Sequence, residues 1–144
     1  MTNFEKTLDY VLATPKTKRQ IQQYLRRKQI DIGESETIIN RLMELGYIND
    51  ASYAELFTTA KSQKIGKGQI KNKLYQRGVS SEIIETQIAK IHDQSDLCNY
   101  TAEKYMRNKT LDQKTRNKLY NHLITKGFDR DEITNAIKII SKTL

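Results

Sequence analysis

The chain has no tryptophan, one proline (Pro15), one cysteine (Cys98) and no long apolar run. Each shortage excludes something. Without tryptophan and with only 3 Phe, the core has to come from Ile, Leu and Tyr. A lone cysteine makes no internal disulfide and no multi-cysteine zinc site. Cys98 also has no partnered histidine to activate it, so it reads as a helix residue and not a nucleophile. Apolar runs of a few residues cannot span a bilayer, so no membrane segment is expected. The opening MTNFEKTLDYV lacks the basic-then-apolar pattern of a signal peptide, and a cytosolic location is expected. With so little proline and 6 Gly, long stretches are free to be helical.

What the chain has is positive charge, a formal +8 over 144 residues. That points to a polyanionic partner, either nucleic acid or an acidic protein. Charge that merely keeps a small protein soluble is the plainer alternative.

Apolar residues recur at spacings of three and four, the mark of helices that bury one stripe. Ile70/Leu74 and Ile84/Ile88/Ile91 are repeated 49 residues later by Leu119/Leu123 and Ile133/Ile137/Ile140. Ile21/Leu25 fall 49 residues earlier, and Ile30, Val79 and Phe128 follow each second helix. After an insertion of about three residues, Ile38, Leu42 and Leu45 match the third-helix stripe. First helices are expected around Phe4/Leu8/Val11, Tyr53/Phe57/Ala60 and Ala102/Tyr105/Met106, with Pro15 closing the first. Gly78 and Gly127 stand where a helix ends in a left-handed residue, and Gln29 in that place predicts a weaker or different cap. Asp129 with Glu132 has capping-box spacing, and Ser80 or Ser81 can cap the equivalent helix. The expected fold is all-α: three tandem three-helix repeats, helix-turn-helix-like, over 1–49, 50–95 and 96–144, in an elongated row.

The bases cluster. No acid lies between Asp9 and Asp31, where Lys16, Lys18, Arg19, Arg26, Arg27 and Lys28 stand. None lies between Glu55 and Glu82 either, a stretch with Lys61, Lys64, Lys67, Lys71, Lys73 and Arg77. Two positions stay basic at the 49-residue step, Lys18/Lys67/Arg116 and Lys28/Arg77/Lys126. The third helices carry acid instead, including Glu36, Glu44, Glu82, Glu85, Asp131 and Glu132. A recognition helix in the major groove should avoid such charge, so salt-sensitive, sequence-blind contact with a polyanion fits better. Solvated helix faces account for many of these residues singly. KIGKGQIK lacks the spacing of a phosphate loop and has no strand before it, so it reads as a flexible glycine-containing lead-in to a helix. His92 and His122 form no metal-ligand pattern, no carboxylate pair invites acid–base work, and no cofactor or enzyme activity is expected.

The segment Leu45 to Ile88 resembles the RecX regulatory family, through Gly46-Tyr47-Ile48-Asn49-Asp50, Tyr53-Ala54, Phe57, Lys64, Gly66, Gly68, Ile70, Leu74 and Arg77-Gly78-Val79. The flanks IQQYLRRKQI and LYNHLITKGFDRDEI are similar less sharply. The resemblance implies tandem three-helix repeats and a non-enzymatic partner of the RecA recombinase filament on single-stranded DNA. It further implies inhibition of strand exchange, ATP hydrolysis and co-protease activity, hence a place in recombinational DNA repair and the SOS response. On that footing the filament contacts are expected at Lys61, Lys64, Lys67, Lys71, Lys73 and Arg77. Lys18, Arg26, Arg27, Lys28, Arg116 and Lys126 extend them, with direct contact to the single strand and a monomeric protein. Asp50, Tyr53, Phe57, Gly66, Gly68 and Gly78 carry the family motif; core packing accounts for the aromatics and helix capping for Asp50. Two rivals stay open, a helix-turn-helix-like regulator of naked duplex DNA and a helical adaptor for another acidic protein.

Overall fold

The phrase that recurs in the sequence is a way of ending a helix. In the computed structural model, which describes residues 1–143, the described residues form nine helices and no strand. They are α1 (Asn3–Ala13), α2 (Lys18–Arg27), α3 (Ile32–Glu44), α4 (Asp50–Lys61), α5 (Lys67–Gln76), α6 (Ser81–Ile88), α7 (Ser95–Met106), α8 (Gln113–Thr125) and α9 (Arg130–Thr143). The class is all-α, in tandem three-helix units. After α2, α5 and α8 comes a residue of positive φ, namely Gln29 (59°), Gly78 (84°) and Gly127 (96°). The next amide then reaches back over the last turn: Ile30 to Leu25 O at 3.1 Å, Val79 to Leu74 O at 3.1 Å, Phe128 to Leu123 O at 3.2 Å. That is the Schellman closure, with the apolar residue beyond it folded against the core. Gln29, expected to give a weaker or different cap, adopts the same geometry as the two glycines. The difference lies in energy, because a residue with a Cβ is strained there.

Helix starts are fixed by side chains that satisfy the orphan amides of the first turn. Thr2/Glu5 and Thr17/Gln20 form reciprocal capping boxes. Asp129/Glu132 forms the third, with Glu132 N donating to Asp129 Oδ1 at 2.8 Å and Asp129 N to Glu132 Oε1 at 3.0 Å. Ser80 Oγ accepts from Ile83 N at 3.4 Å. Asn49, not Asp50, caps α4 by accepting from Ser52 N at 3.1 Å.

Packing gathers the chain into two compact units, one of Met1–Phe57 with Leu74–Glu85, the other of Thr58–Lys73 with the residues from Thr86 onward. The first is built on Val11, Ile21, Leu25, Ile38, Ile39, Leu42 and Ile48, with Phe4, Leu8, Tyr24 and Ile30 packed against them. The second is built on Cys98, Ala102 and Met106 of α7, Leu119 and Leu123 of α8, Phe128, and Ile133, Ala136, Ile137 and Ile140 of α9. Some stripes differ from the expected ones. Leu45 is 55 % exposed at the C-cap of α3, just before Gly46 with φ 81° ends the helix, while Ile39 takes the inward place. On α4 the inward residues are Ala54 and Thr58, with Tyr53 and Phe57 half-buried and Ala60 exposed. On α7 Cys98 joins the stripe and Tyr105 sits at its edge. No described helix is long and apolar enough to cross a membrane.

Candidate basic interface

Each unit contains a joint in which the start of one helix meets the end of another. The positions correspond at the 49-residue step, 17 with 66 and 77 with 126. In the first unit, Thr17 caps α2 by accepting from Gln20 N at 3.2 Å, and its buried hydroxyl donates to Arg77 O at 2.6 Å. Lys18 N donates to Asp50 Oδ1 at 2.9 Å. The family-motif aspartate therefore caps α2, and the capping role expected for it on α4 falls to its neighbour. In the second unit backbone meets backbone: Gly66 N donates to Lys126 O at 2.8 Å and Gly68 N to Gly127 O at 2.9 Å. A Cβ on Gly66 would stand 2.3 Å from Gly127 C, and one on Gly68 3.0 Å from Gly127 O. Gly66 and Gly68 thus serve close backbone approach. Gln94 completes this joint, accepting from Lys67 N at 2.9 Å while its amide donates to Ser62 O and Ile65 O at 3.0 and 2.9 Å.

Three of the expected site residues come together in the first unit. Arg77 Nη1 donates to Tyr53 Oη at 2.7 Å, and the guanidinium lies 4.5 Å from the Phe57 ring centroid. Tyr53 and Phe57 are stacked with centroids 6.2 Å apart. Gly78 follows in the left-handed turn, where a Cβ would stand 2.5 Å from Arg19 Cβ. The aromatics of the motif are packing residues, and Arg77 is tied to them.

The remaining bases divide by exposure. Lys18, Arg26, Arg27, Lys28, Lys64 and Lys71 are exposed; Lys61, Lys67, Lys73, Arg116 and Lys126 are half-buried. Lys28 Nζ lies 5.7 Å from the Tyr24 ring, which is stacked on Tyr10 at 4.0 Å. Arg116 Nη2 donates to Ser141 Oγ at 3.4 Å, and Lys67 Nζ stands 3.5 Å from Asp129 Oδ2. Lys28 and Lys126 occupy helix C-caps, where a cation favours the helix dipole. Lys18 and Lys67 are the first residues of α2 and α5, where a cation opposes it. Lys67 has the Asp129 carboxylate beside it to offset that cost, whereas Lys18 stands exposed at its helix start.

Lys64 and Lys126 share a cleft of about 530 Å³ with Tyr100, Lys104, Tyr105 and His122. Tyr105 and His122 are stacked, centroids 4.5 Å apart, and Lys109 Nζ lies 4.2 Å from the Tyr105 ring. Burial, then Lys126 and Lys109, hold the His122 imidazolium below the ordinary histidine range. Tyr100, Lys104, Tyr105 and His122 were not among the site residues expected from sequence. Their signal was there as two pairs at i, i+4, Tyr100/Lys104 and His122/Lys126, each placing a ring beside a base on one helix face. A second cleft, of 430 Å³, is lined by Lys67, His92, Asp93, Asp129, Asp131 and Glu132. Hydrogen bonds from Ser95 hold the Asp93 carboxyl low. Among the described residues no three His, Cys, Asp or Glu are grouped to hold a metal ion. Burial pushes the Cys98 thiol up to about 12, which keeps it protonated and unreactive.

Family models described as RecX, second three-helix domain, and RecX, third three-helix domain, match residues 49–86 and 92–137. A regulatory protein RecX of Clostridium beijerinckii is 29 % identical over 140 residues, covering 93 % of this chain and 66 % of the relative. One of Streptococcus agalactiae is 32 % identical over 136 residues, 91 % of this chain and 52 % of the relative. The chain thus spans about half to two thirds of the length of these curated relatives. The crystal structure of RecX from Lactobacillus salivarius superposes with a TM-score of 0.82 at 27 % identity, covering 96 % of this chain and 94 % of that one. Another crystal structure, of a regulatory protein RecX, has a TM-score of 0.83 at 22 % identity over 94 % and 70 % of the two chains, a likeness of fold.

Proposed function

The chain belongs to the RecX family, and on that premise we propose that it regulates the RecA recombinase by binding the filament RecA forms on single-stranded DNA. It works in the cytosol as a monomer, with three repeats bounded at 49/50 and 95/96. It restrains strand exchange, ATP hydrolysis and co-protease activity without catalysing a reaction of its own. One observation carries the reading for this chain. Lys18 opens α2 and is exposed, at the end where a positive charge costs about 0.3–1 kcal/mol. A polyanionic partner offsets that cost, and a merely soluble surface does not. Exposed Arg26, Arg27, Lys64 and Lys71 add the electrostatic contacts. A filament also offers the same contact many times over, so several weak contacts combine into tight binding.

The test is single-strand-dependent ATP hydrolysis by the cognate RecA, titrated with this protein at fixed salt, with binding to the naked strand measured beside it. Hydrolysis should fall at well under one protein per RecA protomer, while naked DNA is still largely free. A fall seen only once the DNA is coated would mean competition for phosphate. No effect at saturation would end the proposal and leave the adaptor for another acidic protein.

A further inference from the structure

The cleft lined by Tyr100 shares only Lys126 with the joint of the second unit, and its composition suits a particular ligand. Three lysines line it, Lys64, Lys104 and Lys126, and no carboxylate does. Lys104 comes from α7, Lys126 from the C-cap of α8 and Lys64 from the segment before α5, so three separate stretches converge. Tyr100, one turn before Lys104 on α7, is 59 % exposed, so its ring is accessible at the edge of the lysine cluster. At 530 Å³ the cleft is of a size that takes a small organic group.

We propose that this cleft is a subsite for single-stranded nucleic acid, with a base stacked on Tyr100 and the adjoining phosphates held by Lys64, Lys104 and Lys126. A free base face and a phosphate a few ångströms away occur together in a single strand, whereas in a duplex the faces are already stacked. An acidic peptide would satisfy the lysines and gain nothing from the exposed ring. The subsite deepens the filament reading and rests on it for the source of the strand, but the contact itself is measurable with naked DNA.

The experiment measures anisotropy of a labelled oligo-dT with the full chain, against an abasic oligonucleotide of the same length, for wild type, Tyr100→Ala, Tyr100→Phe and Lys104→Gln. RecA hydrolysis is titrated with each. Tyr100→Ala should weaken oligo-dT binding by about five- to 160-fold, the range that corresponds to loss of one base–aromatic stack. Tyr100→Phe should restore it, and the abasic strand should not distinguish Tyr100→Ala from wild type. Lys104→Gln should lower the slope of log affinity against log salt by about 0.7, one phosphate contact on a single strand. Equal oligo-dT binding by wild type and Tyr100→Ala overturns the subsite, whatever happens to RecA. So does displacement by polyglutamate to which Tyr100→Ala is indifferent, which would assign the cleft to an acidic protein. If Tyr100→Ala loses the oligonucleotide while wild type leaves RecA hydrolysis unchanged, the subsite stands and the filament reading falls.

Discussion

The joint of the first unit and the joint of the second occupy corresponding positions and are made differently. Thr17 reaches Arg77 O with a side-chain hydroxyl, while Gly66 reaches Lys126 O with its own amide. A hydroxyl on a rotatable bond keeps the two backbones apart and leaves room for Arg19 beside Gly78. An amide donor draws the backbones together, and then neither side can carry a Cβ. The comparison explains why the second unit has glycine at 66 and 68 where the first has Thr17 and Arg19, while Gly78 and Gly127 are glycine in both. It also corrects the reading of KIGKGQIK as a flexible lead-in, since its glycines form a close packing surface.

The sharpest way to break this contrast is Gly66→Ala. The added methyl would meet Gly127 C at 2.3 Å, its O at 2.5 Å and Phe128 N at 2.5 Å, all backbone, with no flexible side chain to yield. We expect a loss at the upper end of the overpacking range, about 3 kcal/mol. Hydrogen exchange should show it concentrated in α8 and the start of α5. Gly68→Ala, with its nearest contact at 3.0 Å, should cost much less. If the two variants melt alike, steric approach is not what selects glycine here.

Thr17→Val in the first unit keeps the volume and removes the hydroxyl, and with it a cap and the bond to Arg77 O. The expected cost is about 1–2 kcal/mol in urea unfolding. A cost equal to that of Gly66→Ala would mean that the joints do not differ as their geometry says. Gln29→Gly should move stability the other way. Gln29 holds φ at 59° in a turn that Gly78 and Gly127 make without strain. Relief of left-handed strain is worth about 1 kcal/mol, so the variant should unfold at higher urea.

Much of this was legible in the sequence, for reasons that can be named. Helix class, the inward leucines and isoleucines of α2, α5 and α8, and the left-handed ends depend on local periodicity and on glycine, which need no knowledge of the rest of the chain. Leu45 continues the spacing of Ile38 and Leu42 but sits at the C-cap of α3, an exposed position that only the local helix end decides. The other errors began where a neighbour distant in sequence decides. Asp50 looks like the cap of its own helix, and its carboxylate bonds Lys18 N, 32 residues away. The cleft was hidden because Lys64 joins Tyr100, Lys104 and His122 only through the fold, though the two i, i+4 pairs advertised half of it. Charge clustering found the basic stretches without separating Arg77, tied to Tyr53, from Arg26 and Arg27, which face solvent.

The smallest expected effect has the cleanest sign. Burial and the charges of Lys126 and Lys109 lower the pKa of His122, and Tyr105 stacks on its ring. Its folded value therefore lies below the unfolded value of 6.5, and in that interval the unfolded chain binds more protons. Stability from His122 is thus complete above pH 6.5 and is lost as pH falls through the folded value. A phosphate among Lys64, Lys104 and Lys126 does the reverse, since it favours the imidazolium beside them. Acidification should therefore weaken the fold and tighten the single strand at once. His122→Gln should flatten both trends, read by urea unfolding and by oligo-dT anisotropy between pH 5 and 8. Parallel trends of the same sign would remove the imidazole from the cleft's electrostatics and leave the lysines to account for binding alone.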